Sequence, residues 1–174
     1  MIPDFLKKYE AALKDYEREC VRVTATPITD SSLKDELSLT TSKFLGLPFF
    51  PKTKDYPVDS EGTPMVLAAQ INFEEVPVLE GFPKDGMLQL FLSGDNWYDE
   101  EYKVYYHSKN ELDQDHLKEL YFLTDDLYED FPIYMVHQLS FEKDIDRGGT
   151  EDDQFDFKFG DKGFWEFEEE LKEN

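Results

Sequence analysis

Residues 65–73, with the sequence MVLAAQINF, form the most apolar run of the chain and predict a central strand of a β-sheet. Turn signals lie on both sides of this run, at residues 59–62 (DSEG) and 84–86 (KDG). The second turn leads into another apolar run, MLQLFL at residues 87–92, which predicts a further strand. Strands that are joined by turns and not by regular helices favour a mainly antiparallel sheet.

The other periodic segments complete this prediction. Apolar residues at three- and four-residue spacing predict an amphipathic helix over residues 3–20, and a strand is predicted at 21–28. Further strands are predicted at 102–107, 131–141 and 154–159, with short helices at 112–120 and 164–171. Pro48 and Pro51 predict an extended, aromatic-rich loop over residues 42–51. The predicted fold is a single α+β domain over residues 1–174, a mainly antiparallel β-sheet with an N-terminal amphipathic helix and one or two short helices.

The charge is strongly acidic and unevenly distributed. The chain has 18 basic and 40 acidic side chains, a net charge of −22. Residues 1–94 have a net charge of −5, whereas residues 95–174, with 8 basic and 25 acidic side chains, have a net charge of −17. Such a field repels nucleic acid and anionic lipid, and it attracts basic proteins or divalent cations. We therefore expect no nucleic acid and no membrane surface among the partners, and a basic protein instead.

The single cysteine and the N-terminal residues indicate the compartment. Cys20 excludes an internal disulfide, which fits a reducing environment. It is predicted as a small core residue at the end of the first helix and not as a reactive thiol, because no basic or histidine neighbour would lower its pKa. The N-terminal residues lack the apolar stretch of a signal peptide, and no apolar run approaches the roughly 20 residues that cross a bilayer. A cytoplasmic protein is expected.

One long passage resembles a known family. It contains KFLGLP (residues 43–48), YP (56–57), GTPM (62–65) running into QIN (70–72), and GFPKDGMLQLF (81–91). In this order the motifs resemble the YwqG-like family of uncharacterised bacterial proteins. Many relatives have two glycines where this chain has Leu45-Gly46. Many also continue into a second half, so the resemblance implies a shortened member or the N-terminal part of a longer one.

The resemblance implies no established activity and no catalytic residue. Because some relatives are encoded near toxin and immunity genes, it implies an intracellular role in neutralising a partner. No motif of the chain itself is typical of nucleotide-binding, zinc or hydrolase sites. The histidines, His107, His116 and His137, are dispersed, and each is predicted to be a surface or core residue. We assign no catalytic, cofactor-binding or metal-ligating residue.

Two local patterns leave a binding role open. Asp144, Asp146 and Asp152 have the spacing of part of a calcium loop, but Phe155 stands where a bidentate Glu should be. A solvated acidic turn is therefore favoured over a calcium site. Gln70 and Asn72 interrupt the central strand, and buried amides need hydrogen-bond partners. They either bind a ligand or, as is favoured, tie the proline-rich loop to the sheet.

Two classes of function follow from these observations. The first is a non-enzymatic interaction protein whose acidic C-terminal half binds a basic macromolecule. The alternative is a small-molecule or metal-dependent enzyme with its site near the loop at residues 44–51, or a calcium-binding domain. The charge asymmetry favours the first, because the alternative depends on no comparable feature.

Overall fold

A computed structural model describes residues 4–28, 37–94, 97–98, 101–113, 115–116, 120–149 and 156–173. Its strands are β1 (Arg18–Pro27), β2 (Lys43–Phe44), β3 (Val66–Asn72), β4 (Met87–Leu92), β5 (Tyr102–His107) and β6 (His137–Asp146). They form one sheet in the order β1-β6-β2-β3-β4-β5, and the pairs from β6 to β5 are antiparallel. The α-helices are α1 (Glu10–Leu13), α2 (Lys109–Leu112) and α3 (Phe164–Glu173). This arrangement confirms the predicted α+β class.

The chain forms two compact units, and the larger one comprises Val21–Glu142. Its core has two apolar clusters. Phe50, Met65, Leu67 and Phe91 form one of them, and the other includes Val66, Leu123, Leu127, Phe131 and Val136. Val66 and Leu67 are successive residues of β3, so they point to opposite faces of the sheet. The two clusters therefore lie on opposite faces.

The smaller unit comprises Met1–Cys20 and Lys143–Asn174, and aromatic rings form its centre. The Tyr9 ring meets Phe157 and Phe159 edge-on, with centroids 5.9 and 5.2 Å apart. Phe159 stacks on Phe167 of α3 at 4.4 Å. Since aromatic pairs add stabilisation beyond the area that they bury, these rings give the unit a small core of its own.

The N-terminal helix is shorter than predicted. It consists of a 3-10 turn (Asp4–Tyr9), α1, and a second 3-10 turn (Lys14–Tyr16). The backbone is extended at Glu17, and β1 starts at Arg18. Cys20 therefore lies in a strand, half-buried, and the prediction that it ends the helix is wrong. Val21 and Val23 favour a strand. Because β1 is paired in the sheet, the strand begins earlier, at Arg18, and includes residues whose apolar spacing had predicted a helix.

Three other segments also differ from their predictions. Of the helix predicted over residues 112–120, only Leu112 is helical among the described residues, and residues 114 and 117–119 lie outside them. Helix α2 starts earlier, at a capping box of Ser108 and Glu111. The strand predicted at 131–141 begins only at His137 and continues to Asp146. Gln154 and Phe155 lie outside the described residues, and beyond them only Phe159 forms a bridge, with Lys162. The strands at 66–72, 87–92 and 102–107 and the helix that begins at residue 164 are confirmed.

Leu45 has a left-handed backbone, with φ of 63°, and it precedes Gly46, whose φ is 80°. The left-handed region costs a residue with a Cβ atom roughly 1–2 kcal/mol, while glycine enters it freely. Burial of the Leu45 side chain in the core of the larger unit offsets this strain. A buried leucine thus occupies a position at which only glycine would be unstrained.

At most positions a glycine variant is less stable than an alanine variant, and the left-handed backbone of Leu45 predicts the opposite order there. Leu45→Gly and Leu45→Ala both lose the buried side chain, but only the alanine keeps the strain. We expect Leu45→Gly to be more stable than Leu45→Ala by about 1 kcal/mol in urea unfolding. Leu139 is buried in β6 and has no left-handed backbone, so the glycine variant there should be the less stable one. The same order at both positions would contradict this explanation.

Candidate functional site

Two buried glutamine side chains hold the loop at residues 45–51 against the sheet. Gln70 of β3 and Gln89 of β4 are cross-strand partners, and both are fully buried. The backbone N–H of Phe49 donates to Gln70 Oε1 at 3.2 Å, and the carbonyl oxygen of Phe49 accepts from Gln89 Nε2 at 2.7 Å. Both polar groups of the Phe49 backbone are therefore paired. The favoured prediction for Gln70, a side chain that ties the loop to the sheet, is confirmed.

Backbone carbonyls fix the orientation of both amides. Gln70 Nε2 donates to the carbonyl oxygens of Leu39 and Thr41 at 2.7 and 2.9 Å, so Gln70 Oε1 faces the loop. Gln89 Nε2 donates to that Oε1 at 2.7 Å and to the carbonyl of Phe49. An amide nitrogen carries two hydrogens, and both are used. Gln89 Oε1 is left to accept a hydrogen bond from elsewhere.

Asn72 connects the same strand to a neighbouring segment. Its Nδ2 donates to the carbonyl oxygen of Thr40 at 3.1 Å, and its Oδ1 accepts from the backbone N–H of Glu74 at 3.1 Å. Its own backbone N–H donates to Ser42 Oγ at 2.8 Å. The amide of Asn72 thus joins Thr40 and Glu74 and not the proline-rich loop, so the favoured prediction is wrong in its partner for Asn72.

His107, at the end of β5, continues the chain of hydrogen bonds and is fully buried. Its Nε2 lies 2.8 Å from Gln89 Oε1, which can only accept, so Nε2 carries the proton. Its Nδ1 lies 3.4 Å from the ammonium group of Lys54 and accepts from it. Burial, and then the charge of Lys54, lower the pKa of His107 to about 4. The imidazole is therefore neutral at pH 7.

The chain of hydrogen bonds ends at a half-buried ion pair. Lys54 Nζ lies 2.5 Å from Glu111 Oε1, and Glu111 Oε2 accepts from the backbone N–H and the hydroxyl of Ser108 at 2.9 and 3.0 Å. The bond from Lys54, followed by that from the Ser108 N–H, lowers the pKa of Glu111 to about 2. The carboxylate thus both caps helix α2 and holds the ammonium group that faces His107.

This arrangement gives His107 a structural role. Both of its ring nitrogens are engaged, one with an amide and the other with an ammonium group, so neither is available to take a proton from a substrate. The rings of His107 and His116 both contact Phe49, at 5.9 and 5.5 Å, and His116 pairs with Pro51 in a single bridge. His137 Nδ1 lies 2.8 Å from the carbonyl of Met135. The perturbed pKa values need no ligand to explain them.

Sequence reasoning missed most of this network, although one signal pointed to it. Gln89 lies two residues from Met87 and two from Phe91, which are both buried, so the period of a strand places it on the same buried face of β4. Lys43 of β2 is also fully buried, and its register places it opposite Gln70 and on the same face. We call Lys43, Gln70, Gln89 and His107 the buried polar layer. A buried ammonium group is stable only when it is paired, so Lys43, like the two glutamines, depends on a polar partner in the folded chain.

The calcium pattern is only partly within the described residues. Asp144 and Asp146 lie on β6, and Asp152 lies outside the described residues. The Oδ1 atoms of Asp144 and Asp146 accept from the backbone N–H groups of Ile145 and Gly148 at 2.8 and 2.9 Å. Within the described ranges, no group of three or more His, Cys, Asp or Glu side chains is arranged to hold a metal ion. The solvated turn stays a prediction.

A stretch with uncompensated acidic charge lies in the larger unit. Residues 119–142 contain six acidic side chains and no Lys or Arg. From Leu120 to Val136, which we call the acidic segment, five apolar side chains point into the core: Leu120, Leu123, Leu127, Phe131 and Val136. The exposed side chains between them include four carboxylates, on Asp125, Asp126, Glu129 and Asp130. In the described part of the chain, no ion pair involves any of the four.

The acidic segment also exposes aromatic surface. Tyr121 is 81% exposed and Tyr134 is 85% exposed, the largest values among the large apolar side chains of the described residues. A tyrosine ring contributes apolar contact area and attracts cations to its face. One segment of the chain thus exposes both carboxylates and tyrosine rings, which are the groups that complement lysine and arginine side chains.

Comparison with family models gives one match. Residues 42–173 match the model of a domain of unknown function, DUF1963, which covers most of the chain. The chain belongs to this family. The match extends from the strand β2, through the buried polar layer and the acidic segment, to helix α3. A comparison with curated proteins finds no match.

No activity is assigned to the DUF1963 family. That this chain belongs to it is compatible with the resemblance to the YwqG-like family, which stays a prediction. None of the helices in the described residues combines the length and the hydropathy that a bilayer crossing needs.

Proposed function

We propose that this chain is an intracellular interaction protein whose acidic C-terminal half binds a basic protein. The acidic segment carries the proposal, because it presents four carboxylates without ion-pair partners among the described residues and two exposed tyrosines. A backbone that is already packed does not have to be ordered when its side chains bind, which lowers the entropic cost of binding. The apolar anchors of the segment, from Leu120 to Val136, supply that packing.

The long-range field supports the same partner. Residues 95–174 have a net charge of −17, which accelerates encounters with a positively charged surface and slows those with nucleic acid or anionic lipid. The association should therefore be fast and should weaken strongly as salt is raised. Interfaces of this kind occur where an acidic protein covers the basic groove of a toxin or of a nucleic-acid-binding protein. A neutralising, immunity-like role in the cytoplasm is the specific form that we propose.

The test compares proteins captured from native lysate by the wild type and by two variants of equal charge. The first variant neutralises the acidic segment with Asp125→Asn, Asp126→Asn, Glu129→Gln and Asp130→Asn. The second neutralises four exposed acidic residues elsewhere, with Asp15→Asn, Asp55→Asn, Glu61→Gln and Glu80→Gln. Both variants have the same net charge, so a difference between them reports the position of the charge and not its sum.

We expect basic proteins on the wild type and on the second variant at about 50 mM salt, and their loss at about 500 mM, where the Debye length is only a few Å. The first variant should capture at least about tenfold less, which corresponds to about 1.4 kcal/mol. If both variants capture equally less basic protein than the wild type, binding depends on net charge alone and not on the acidic segment. If no basic protein is captured by the wild type at either salt concentration, the proposal is wrong.

A further inference from the structure

The strand β5 ends the sheet, and its outer edge is unpaired within the described residues. In an antiparallel sheet, successive residues direct their N–H and C=O groups to alternate sides of the strand. The N–H of Phe73 donates to the carbonyl of Gly86, so this pair and the pairs Ile71–Leu88 and Ala69–Leu90 are hydrogen-bonded. The even-numbered residues of β4 therefore point their backbone groups to β3.

It follows which groups of β5 face outwards. The odd-numbered residues of β4 bond to their partners Lys103, Tyr105 and His107. The N–H and C=O groups of Tyr102, Val104 and Tyr106 consequently point away from the sheet. These three residues form a row of donors and acceptors that no described strand pairs, and such a row can accept an additional strand.

The side chains of the same three residues are apolar and exposed. Tyr102 is 60%, Val104 is 56% and Tyr106 is 45% exposed. Their cross-strand partners on β4 are Leu92, Leu90 and Leu88, which are only half-buried. The edge therefore continues into an apolar sheet face that is incompletely covered.

The other edge of the sheet is better protected. The strand β1 carries Arg18, Glu19, Arg22 and Pro27, which are the residue types that prevent edge pairing. On β5 the only such residue is Lys103, whose backbone is used by β4. Of the two edges, β5 is the one that can accept a partner.

Acidic residues lie at both ends of β5. At one end, Glu101 directly precedes Tyr102, and its carboxylate accepts from the backbone N–H of Ser60 at 3.2 Å. At the other end, the carboxylates of Glu74, Asp85 and Asp113 raise the pKa of Lys109, so they lie around that single ammonium group. The hydroxyl of Tyr106 donates to the carbonyl oxygen of Asp85 at 2.9 Å, which places this acidic group beside the edge. A segment that binds here meets negative charge at both of its ends.

We infer that β5 binds an extended segment of the basic partner as an added strand. Apolar residues at alternate positions of that segment would contact the face formed by Leu88, Leu90 and Leu92, and lysines or arginines at its two ends would meet the acidic groups. The inference rests on the proposed function for the identity of the partner. A second copy of this chain is the less suitable occupant, because each copy has a net charge of −22.

The experiment uses a defined probe, the peptide Lys-Lys-Val-Thr-Val-Thr-Val-Lys-Lys with blocked ends. One comparison peptide has Glu at every Lys position, and another is N-methylated at its central amides, which removes backbone donors without changing charge. The protein variant is Val104→Pro, which removes an outward N–H and leaves the bonds to β4 in place. Its matched control, Val104→Thr, keeps the N–H and the size of the side chain. Binding is measured by fluorescence anisotropy.

We expect the lysine peptide to bind the wild type and Val104→Thr, and to bind Val104→Pro at least about tenfold more weakly. The N-methylated peptide should lose binding to the wild type to a similar extent, a result that does not depend on the folding of a variant. The glutamate peptide should not bind. Light scattering should show a monomer.

The outcomes separate the two proposals. Undiminished binding of the N-methylated peptide would mean attraction by charge alone, which overturns the added strand and leaves the proposed function intact. Equal binding of the glutamate peptide would keep edge pairing and contradict the choice of a basic partner. A dimer that Val104→Pro dissociates would identify a second copy as the occupant and would overturn the inference. Absence of binding by any peptide would overturn the added strand only, since the capture experiment tests the basic partner independently.

Discussion

Gln89→Ala is expected to lower the free energy of unfolding by about 3–5 kcal/mol, because it removes the central member of the buried polar layer. The substitution leaves the His107 Nε2–H without an acceptor and the carbonyl of Phe49 without its donor from Gln89. It also opens a cavity where the side chain was fully buried. Each buried polar group left unpaired costs about 1–3 kcal/mol, so the combined loss is large compared with the whole stability of a domain.

Gln138 provides the matched control for this prediction. It lies on β6, opposite Lys43 in register, but its side chain is exposed. Gln138→Ala should change stability by no more than about 0.5 kcal/mol. Urea unfolding, followed by circular dichroism, measures both variants. A cost below about 1 kcal/mol for Gln89→Ala would show that the glutamine does not hold the loop to the sheet.

The second large effect is a loss of stability as the pH falls from about 6.5 towards 4, through His107. In the unfolded chain its pKa is 6.5, while in the folded protein the pKa is about 4. Between these values the unfolded state binds a proton that the folded state does not, so acid favours unfolding. One such group changes the free energy of unfolding by about 1.4 kcal/mol per pH unit.

This dependence is measured by urea unfolding at pH values between about 7 and 5, above the range in which most carboxylates titrate. His107→Gln should remove about one proton's contribution to the slope of stability against pH. The pKa of Glu111, lowered to about 2, affects a different window, since the stability that it contributes is lost as the pH falls from 4.5 through 2. If His107→Gln shows the slope of the wild type, His107 is not the neutral, buried group described.

The parts of the fold that the sequence predicted are those governed by local pattern. The strands β3 and β4 follow from short apolar runs beside turns, and the role of Gln70 follows from the need of a buried amide for partners. The strand at Arg18–Cys20 could not be predicted, because long-range pairing in the sheet prevails over helical spacing. Likewise, the contacts that join Gln89, His107 and Lys54 depend on strand register and on a distant loop.

The candidate surfaces were predictable to different degrees. The acidity of residues 95–174 was evident, but the exposure of Asp125 and Tyr134 depends on which residues of the acidic segment enter the core. Which backbone groups of β5 face outwards depends on whether its odd- or even-numbered residues bond to β4, and no sequence pattern reveals this. Charge thus predicts the class of partner, and only the structure indicates where the partner would lie.

Hydrogen exchange of the wild type, with and without the captured basic protein, tests the central proposal most directly. We predict slower exchange over residues 120–136, which include Asp125 to Asp130, and over the edge residues 102–106. The loop at residues 45–54 and helix α2 should exchange as they do in the free protein. Protection of that loop and helix, with no change in the acidic segment, would contradict the proposal and would place the binding site beside Lys54 and Glu111.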